Sequence, residues 1–263
     1  MSKKALCIGI NDYPGTANDL AGCVNDANDW AAELSARGFA VSKLLDGQAT
    51  KAAMQEAIGG LITGARQGDT LIITYSGHGT WVPDSSGDEP DGRDEALCPW
   101  DIGSAGPLID DEIHQMFDQR ADGVRILLIS DSCHSGSVTR GDDSDLDPGM
   151  PRARFMPPQD WMHASELPAA PLRPKTLVNG LKKSGGDLLL AGCMDTEYSY
   201  DTSFKGRPNG AFTYYALKTL RDTKPANYAA WFKAIRSYLP SSSLPQNPQV
   251  LGTAAVQRFK VFE

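Results

Sequence analysis

The chain has 263 residues, of which 41% are hydrophobic and 22% charged, and its formal net charge is −8. This length suits one large α/β domain or two small ones. The acidic balance argues against a nucleic-acid partner. No apolar run reaches the roughly 18 residues of a membrane span, so we expect no membrane partner either.

Cysteine usage and the first residues predict the compartment. The five cysteines are an odd number without a CxxC pair, which indicates reduced thiols and neither a disulfide framework nor a zinc site. The apolar run after Met1-Ser-Lys-Lys is too short for a signal-peptide core. We therefore expect a cytoplasmic protein without a leader.

The first half of the chain alternates between strand and helix patterns. Short apolar runs at 5–10, 39–45 and 69–75 predict buried strands, and the stretches 19–37 and 51–63 between them predict helices. Thr50 is a candidate N-cap for the second helix. This order predicts an α/β fold with a mostly parallel central sheet and helices on both faces.

Two of the predicted strands end in stretches of small and polar residues. The strand at 69–75 continues into Ser76-Gly77-His78-Gly79, and the apolar run 126–129 leads to Cys133. Since parallel strands bring their carboxyl ends to one sheet edge, His78 and Cys133 should lie close together. A thiol beside an imidazole suits nucleophilic catalysis. Taken singly, each has a plainer interpretation, as a buried thiol or a strand-end residue.

Predictions for the remaining stretches are less regular. An acidic loop covers 84–95, a short hairpin arm is expected at 97–101, and an amphipathic helix at 108–117. Residues 140–185 are rich in Pro and Asp, so we expect a long excursion that buries little. Strand 187–193, helices 209–220 and 228–239, a short strand at 246–252 and a terminal edge strand at 256–262 complete the prediction.

The two motifs resemble those of the caspase-like cysteine peptidases of the metacaspase type, called orthocaspases in bacteria. Ser-Gly-His-Gly at 76–79 is followed by Asp-Ser-Cys-His-Ser-Gly at 131–136, and the stretches Asn-Gly-Ala-Phe-Thr at 209–213 and Asn-Pro-Gln at 247–249 also match. The resemblance implies a caspase-hemoglobinase-like fold in one structural domain. It divides the chain into a large-subunit-like (p20) region at 1–139, a linker at 140–185 and a small-subunit-like (p10) region at 186–263.

The same resemblance implies roles for individual residues. His78 and Cys133 would form the catalytic dyad, and the backbone N–H groups of Gly79 and Cys133 the oxyanion hole. His134 is a rival base, although neighbours at a strand end usually point apart. The family's specificity pocket would be lined by Cys23, Asp26, Ser76 and Asp131. Carboxylates in such a pocket suit a guanidinium, so we expect cleavage after Arg or Lys.

Calcium is the cofactor that the resemblance implies. Asp94, Asp110 and Asp111 match the positions of calcium ligands, whereas Arg140 stands near the place of the last one. Asp142 or Asp143 would then substitute for it. The plainer interpretation is that these acids are solvated loop residues.

The predicted function is a calcium-stimulated cysteine endopeptidase that acts as a monomer on peptides or proteins with a basic residue before the scissile bond. The alternative is a catalytically impaired caspase-fold binding or scaffold module. Self-cleavage inside the linker is a further prediction, because this stretch contains basic residues at 140, 152, 154, 182 and 183.

Overall fold

The computed structural model describes residues 1–84, 92–133, 151–165, 167, 187–194 and 197–263. Its strands, in chain order, are β1 (Lys3–Gly9), β2 (Ala40–Leu45), β3 (Thr70–Ser76), β4 (Gly79–Pro83), β5 (Arg93–Leu97), β6 (Leu108–Ile109), β7 (Arg125–Asp131), β8 (Arg152–Ala153), β9 (Asp187–Ala191), β10 (Tyr200–Phe204), β11 (Arg207–Gly210) and β12 (Gln249–Leu251). The helices are α1 (Cys23–Ala36), α2 (Lys51–Thr63), α3 (Ile102–Ala105), α4 (Asp110–Phe117), α5 (Ala211–Thr223), α6 (Tyr228–Ile235) and α7 (Ala254–Gln257).

A six-stranded sheet forms the centre of the molecule. Its strand order is β12-β9-β7-β3-β1-β2, and all neighbours are parallel except the edge strand β12, which runs antiparallel to β9. The central strands are apolar and buried on both faces, as a sheet covered by helices on both sides requires. The predicted fold class is confirmed.

Alternate side chains of the central strands lie on opposite faces of the sheet and belong to two separate cores. On β3, Leu71 and Ile73 face the core that contains the buried side chains of α2 and α4. Ile72 faces the opposite core, with the buried side chains of α1, α5 and α6. Side chains of a strand alternate with a period of two, so one apolar strand supplies both layers.

Local capping explains why several helices begin where they do. Thr50 Oγ1 accepts a hydrogen bond from the Ala53 N–H at 3.2 Å, so α2 begins as predicted. Asn227 caps α6 in the same way through the Ala230 N–H at 2.8 Å. Among the described residues, no helix has both the length and the apolar character of a membrane span.

Three local predictions were wrong. The expected terminal edge strand at 256–262 is instead a short helix followed by turns, because Thr253 caps α7 through the Val256 N–H. The hairpin arm expected at 97–101 lies earlier in the chain, because β5 ends at Leu97 and forms a hairpin with β4, which precedes it. The amphipathic helix begins at Asp110, because the two residues before it pair with β5 as strand β6.

The described part of the Pro- and Asp-rich stretch is packed against the body of the protein. Strand β8 pairs with β10 in antiparallel register, and the side chains of Arg154 and Met156 just after it are completely buried. The composition of this stretch predicts little burial, and that prediction is wrong for these residues. Residues 152–156, hereafter the docked segment, are therefore part of the candidate site described next.

Candidate active site

The register between β3 and β7 brings the predicted dyad to one level of the sheet edge. Ser76 pairs with Asp131, so His78 and Cys133 each lie two residues beyond a matched pair of strand ends. Both side chains are buried, with exposed fractions of 3% and 0%. The two motifs are brought together by parallel pairing of neighbouring strands.

Hydrogen bonds fix the orientation and the tautomer of His78. Its Nε2 lies 2.6 Å from the backbone carbonyl oxygen of Asn18, which can only accept, so Nε2 carries the proton and Nδ1 is the basic nitrogen. The backbone N–H of His78 donates to the Tyr13 hydroxyl at 2.8 Å. Burial lowers the pKa of His78 to about 4, so the ring is neutral at physiological pH and can accept a proton.

The Cys133 thiol contacts the backbone of Ser199. Its Sγ lies 3.3 Å from the Ser199 carbonyl oxygen, to which it can donate, and accepts a hydrogen bond from the Ser199 N–H. Within the described part of the chain, the Nδ1 of His78 has no hydrogen-bond partner. In this conformation the thiol is therefore turned toward Ser199, and the dyad is not hydrogen-bonded.

Two backbone N–H groups converge on one carbonyl oxygen beside the thiol. The N–H groups of Gly79 and Cys133 donate to the carbonyl oxygen of Arg154 at 3.0 and 3.1 Å. Two N–H groups aimed at one carbonyl are the arrangement that stabilises an oxyanion during acyl transfer. These are the two donors that the resemblance implies, and their acceptor here belongs to the same chain.

The docked segment crosses the site as an extended peptide. The Arg154 N–H donates to the Ser199 carbonyl at 2.8 Å, and the Met156 N–H donates to the Gly79 carbonyl at 2.9 Å. The peptide bond between Arg154 and Phe155 therefore lies beside Cys133, in the way that a substrate strand adds to a sheet edge.

The guanidinium of Arg154 is surrounded by three carboxylates, those of Asp26, Asp131 and Asp201, hereafter the acidic pocket. Nη2 lies 2.7 Å from Asp26 Oδ2 and 2.9 Å from Asp201 Oδ1. Nη1 lies 3.3 Å from Asp131 Oδ2 and 3.1 Å from the Asp131 carbonyl. Burial opposes the charge, but the carboxylates, Asp131 foremost, raise the pKa of Arg154 well above its ordinary value.

Donors from the C-terminal part of the chain hold these acids in place. Asp26 accepts hydrogen bonds from the side-chain amide of Asn209 at 2.8 Å and from the Gly210 N–H. Asp131 accepts one from the Thr213 N–H at 2.8 Å and one from the Ser199 hydroxyl. Burial raises the pKa of Asp26 to about 7, an effect that the charge of Arg154 partly opposes.

Asp201 was missed by the sequence analysis. It lies on β10, and its carboxylate also accepts hydrogen bonds from the N–H groups of Ala21 and Gly22, the former at 2.7 Å. No motif surrounds it, and it meets the other two acids only through the tertiary fold. Asn18 was missed as well, since a backbone carbonyl leaves no trace in the residue type.

The structure places the other two expected pocket residues near the acids. Cys23 begins α1 and is completely buried, and burial raises the pKa of its thiol well above the ordinary range while Arg154 opposes this rise. Ser76 is the last residue of β3 and is buried too. No hydrogen bond from its side chain to Arg154 is found among the described contacts. Their roles as pocket residues stay predictions.

The expected calcium ligands are only partly described. Asp94 lies on β5, and Asp110 and Asp111 open α4, next to the β5–β6 pairing. Among the described residues, no group of three or more potential ligands is close enough to hold a metal ion. Asp142 and Asp143, like the rival base His134, lie outside the described residues. A calcium site therefore stays a prediction.

The topology and the site define a class of protein. A mostly parallel six-stranded sheet with His and Cys at adjacent strand ends, and two N–H groups on a substrate-like carbonyl, is the arrangement of a caspase-like cysteine peptidase. A family model described as the metacaspase peptidase C14 domain matches residues 3–141. The chain belongs to the metacaspase family.

Individual relatives agree with this assignment. Metacaspase-1 of Cryptococcus neoformans is 31% identical over 94% of this chain and 62% of its own length. Metacaspase-7 of Arabidopsis thaliana is 43% identical over 52% of this chain and 36% of its own length, so this chain spans only part of these two relatives. The crystal structure of protein GSU0716 from Geobacter sulfurreducens has a TM-score of 0.76 and 33% identity, covering 100% of this chain and 98% of that one.

Proposed function

We propose that this metacaspase-family chain is a cysteine endopeptidase that cleaves after Arg or Lys by means of Cys133 and His78. The observation that carries this proposal is the binding mode of Arg154. Its carbonyl oxygen receives both oxyanion donors while its guanidinium lies in the acidic pocket. A substrate with a basic residue before the scissile bond would bind in the same way.

The chemistry follows from the tautomer of His78 and the position of the thiol. Once the Cys133 thiol turns from Ser199 to His78, Nδ1 takes its proton and the thiolate attacks the carbonyl carbon. The resulting oxyanion is stabilised by the N–H groups of Gly79 and Cys133. His78 then gives the proton to the leaving amine, and water hydrolyses the thioester with His78 as base.

The acidic pocket supports a preference for basic side chains. A guanidinium has two terminal nitrogens that can each reach a different carboxylate, as those of Arg154 do. A substrate carboxylate would meet three buried acids and be repelled. We therefore propose protein or peptide substrates with Arg or Lys before the scissile bond, bound by a single chain.

Arg154 itself supports a specific form of self-cleavage. Its bond to Phe155 is bound in the site as a substrate bond, and the docked segment blocks access for other substrates at the same time. We propose that the chain is blocked by this segment until the bond is cut or the segment leaves. Among the basic residues of the linker, Arg154 is thus the proposed cleavage site.

A fluorogenic assay tests the peptidase proposal. The full chain should release coumarin from an Arg-ending peptide and not from the matched Asp-ending peptide. Cys133→Ala should remove this activity. Cys193→Ala is the matched control, because Cys193 is another buried thiol at the end of the neighbouring strand. A chain that prefers the Asp-ending peptide, or a Cys133→Ala variant that retains the wild-type rate, would refute the proposal.

Calcium stimulation is part of the proposal and rests on the acids of β5 and α4. Calcium takes several oxygen ligands, mostly from carboxylates, and Asp94, Asp110 and Asp111 would contribute to such a set together with Asp142 or Asp143. Hydrolysis of the Arg-ending peptide should be faster in millimolar calcium than in EGTA. Equal rates would refute calcium stimulation but would not bear on the proposed roles of Cys133 and His78.

One observation favours the alternative of a binding or scaffold module: the Cys133 thiol contacts Ser199 and not His78. Labelling with a peptide chloromethyl ketone that ends in Arg separates the two functions. A working peptidase is labelled at Cys133 in preference to the other four thiols, as judged by mass spectrometry. Uniform, slow labelling of all five would favour the scaffold.

A further inference from the structure

Two side chains of the docked segment point into the protein, and the acidic pocket accounts for only one of them. Arg154 and Met156 both have an exposed fraction of 0%, whereas Ala153 and Phe155 are half-buried. This alternation is that of an extended chain, in which every second side chain lies on the same side. The proposed peptidase mechanism gives no role to the burial of Met156.

The backbone contacts that place Met156 do not depend on its side chain. Gly79 donates its N–H to the carbonyl before the scissile bond and accepts, at 2.9 Å, the N–H of the residue two positions after that bond. Any extended substrate that uses the same oxyanion donors will therefore direct the side chain of that second residue to the place where Met156 lies.

The Met156 side chain is part of a hydrophobic core. It belongs to the same buried core as Tyr13, Leu97 and Ile102. Trp161 packs against this core from the segment that follows and donates its Nε1–H to Thr80 Oγ1 at 3.1 Å. A long, flexible thioether side chain fills such a site well, whereas a charged side chain would have to be desolvated there.

We infer that this site is a second specificity pocket, which takes a long apolar side chain two residues after the scissile bond. The inference rests on the proposed peptidase function for its use in catalysis. Substrates are then selected by a basic residue on one side of the cut and by an apolar residue such as Met or Leu two places beyond it.

Internally quenched peptides test this pocket directly. Peptides with Arg-Phe at the cut and Met, norleucine or Glu at the second place beyond it are compared by kcat/KM with the full chain. The docked segment competes equally with each peptide, so the ratios report on the pocket alone. We expect Met and norleucine to be equivalent and Glu to be poorer by about tenfold or more, because its charge must be buried. Equal values for Met and Glu would overturn the inference.

A second measurement does not need peptidase activity. If Met156 anchors the segment over the thiol, Met156→Glu should speed alkylation of Cys133 by iodoacetamide, whereas Met156→Leu should not. Gln159→Glu is the matched control, because it adds the same charge at an exposed position three residues after Met156, outside the docked segment. Equal alkylation rates in Met156→Glu and Gln159→Glu would count against the pocket. Failure to cleave the Arg-ending coumarin peptide would instead refute the peptidase function alone.

Discussion

Replacing Arg154 with Ala should unblock the site while it removes the proposed cleavage position. The guanidinium makes four polar contacts with the acidic pocket, and all of its partners are buried. Removing one partner of a buried ion pair typically costs about 3–5 kcal/mol. The coupled contacts cannot simply be added, so we take the lower value for the loss of segment affinity.

A loss of about 3 kcal/mol corresponds to about 100-fold weaker occupancy of the site by the docked segment. Turnover of an external substrate is proportional to the fraction of chains whose site is open. Arg154→Ala should therefore raise kcat/KM for an Arg-ending coumarin peptide by up to about 100-fold over the uncut wild type. The same change should lower Tm by about 2–4 °C for each kcal/mol lost from the fold.

Initial rates, with the integrity of the chain followed by gel, measure the first effect, and thermal unfolding measures the second. Arg152→Ala is the matched control, because Arg152 is exposed and its only described side-chain contact is with the Asp19 carbonyl. It should leave both quantities nearly unchanged. An Arg154→Ala variant that folds, yet hydrolyses the peptide no faster than wild type, would refute the idea that the segment blocks the site.

Three further predictions concern the acids and the histidine. Asp201→Asn should lower kcat/KM for Arg-ending peptides by about tenfold and for Lys-ending ones by less, because the rigid fork of a guanidinium holds one nitrogen between Asp26 and Asp201 while the other meets Asp131, whereas the single ammonium nitrogen of Lys can move toward the remaining acids. An unchanged Arg-to-Lys ratio would argue against this role of Asp201. The pKa of Asp26 is raised to about 7, so its carboxyl becomes neutral as the pH falls through that value, and KM for Arg substrates should then rise. The Asp26→Asn variant should bind Arg substrates weakly at every pH. A wild-type KM that is flat across neutral pH would contradict this prediction. His78→Ala should slow alkylation of Cys133 in the Arg154→Ala background, where the thiol is free to meet the ring, and an unchanged rate would mean that His78 is not its base.

The fold and the neighbouring positions of His78 and Cys133 were predictable because they depend on local patterns. Apolar strands that end in small and polar residues can be read from the sequence, and parallel pairing then aligns their ends. The family assignment was confirmed for the same reason, since the motifs around His78 and Cys133 are contiguous.

The residues that complete the site could not be found in this way. Asp201 joins Asp26 and Asp131 only through the tertiary fold, in which Ser199, two residues before it, hydrogen-bonds to Asp131 at the end of β7. It lies in no motif. The Asn18 carbonyl that orients His78 could have been supplied by any residue type. Contacts between distant stretches need the tertiary fold before they can be recognised.

The prediction that the linker buries little was wrong for a physical reason. A composition rich in Pro and Asp predicts little burial on average, but an average over a long stretch hides a few residues that bind specifically. Here two side chains of the docked segment, those of Arg154 and Met156, are completely buried. The terminal strand was mispredicted because a short stretch with apolar residues at 256, 259, 261 and 262 also fits a capped helical turn followed by a buried aromatic residue.

Binding of the docked segment as a substrate is tested by the mass of the fragments formed when the purified chain is incubated with calcium. We expect a cut between Arg154 and Phe155, giving a C-terminal fragment that begins at Phe155. This fragment should be absent in Cys133→Ala and in Arg154→Ala. A wild-type chain that hydrolyses Arg-ending peptides but is cut elsewhere, or a Cys133→Ala chain that still yields the Phe155 fragment, would contradict it.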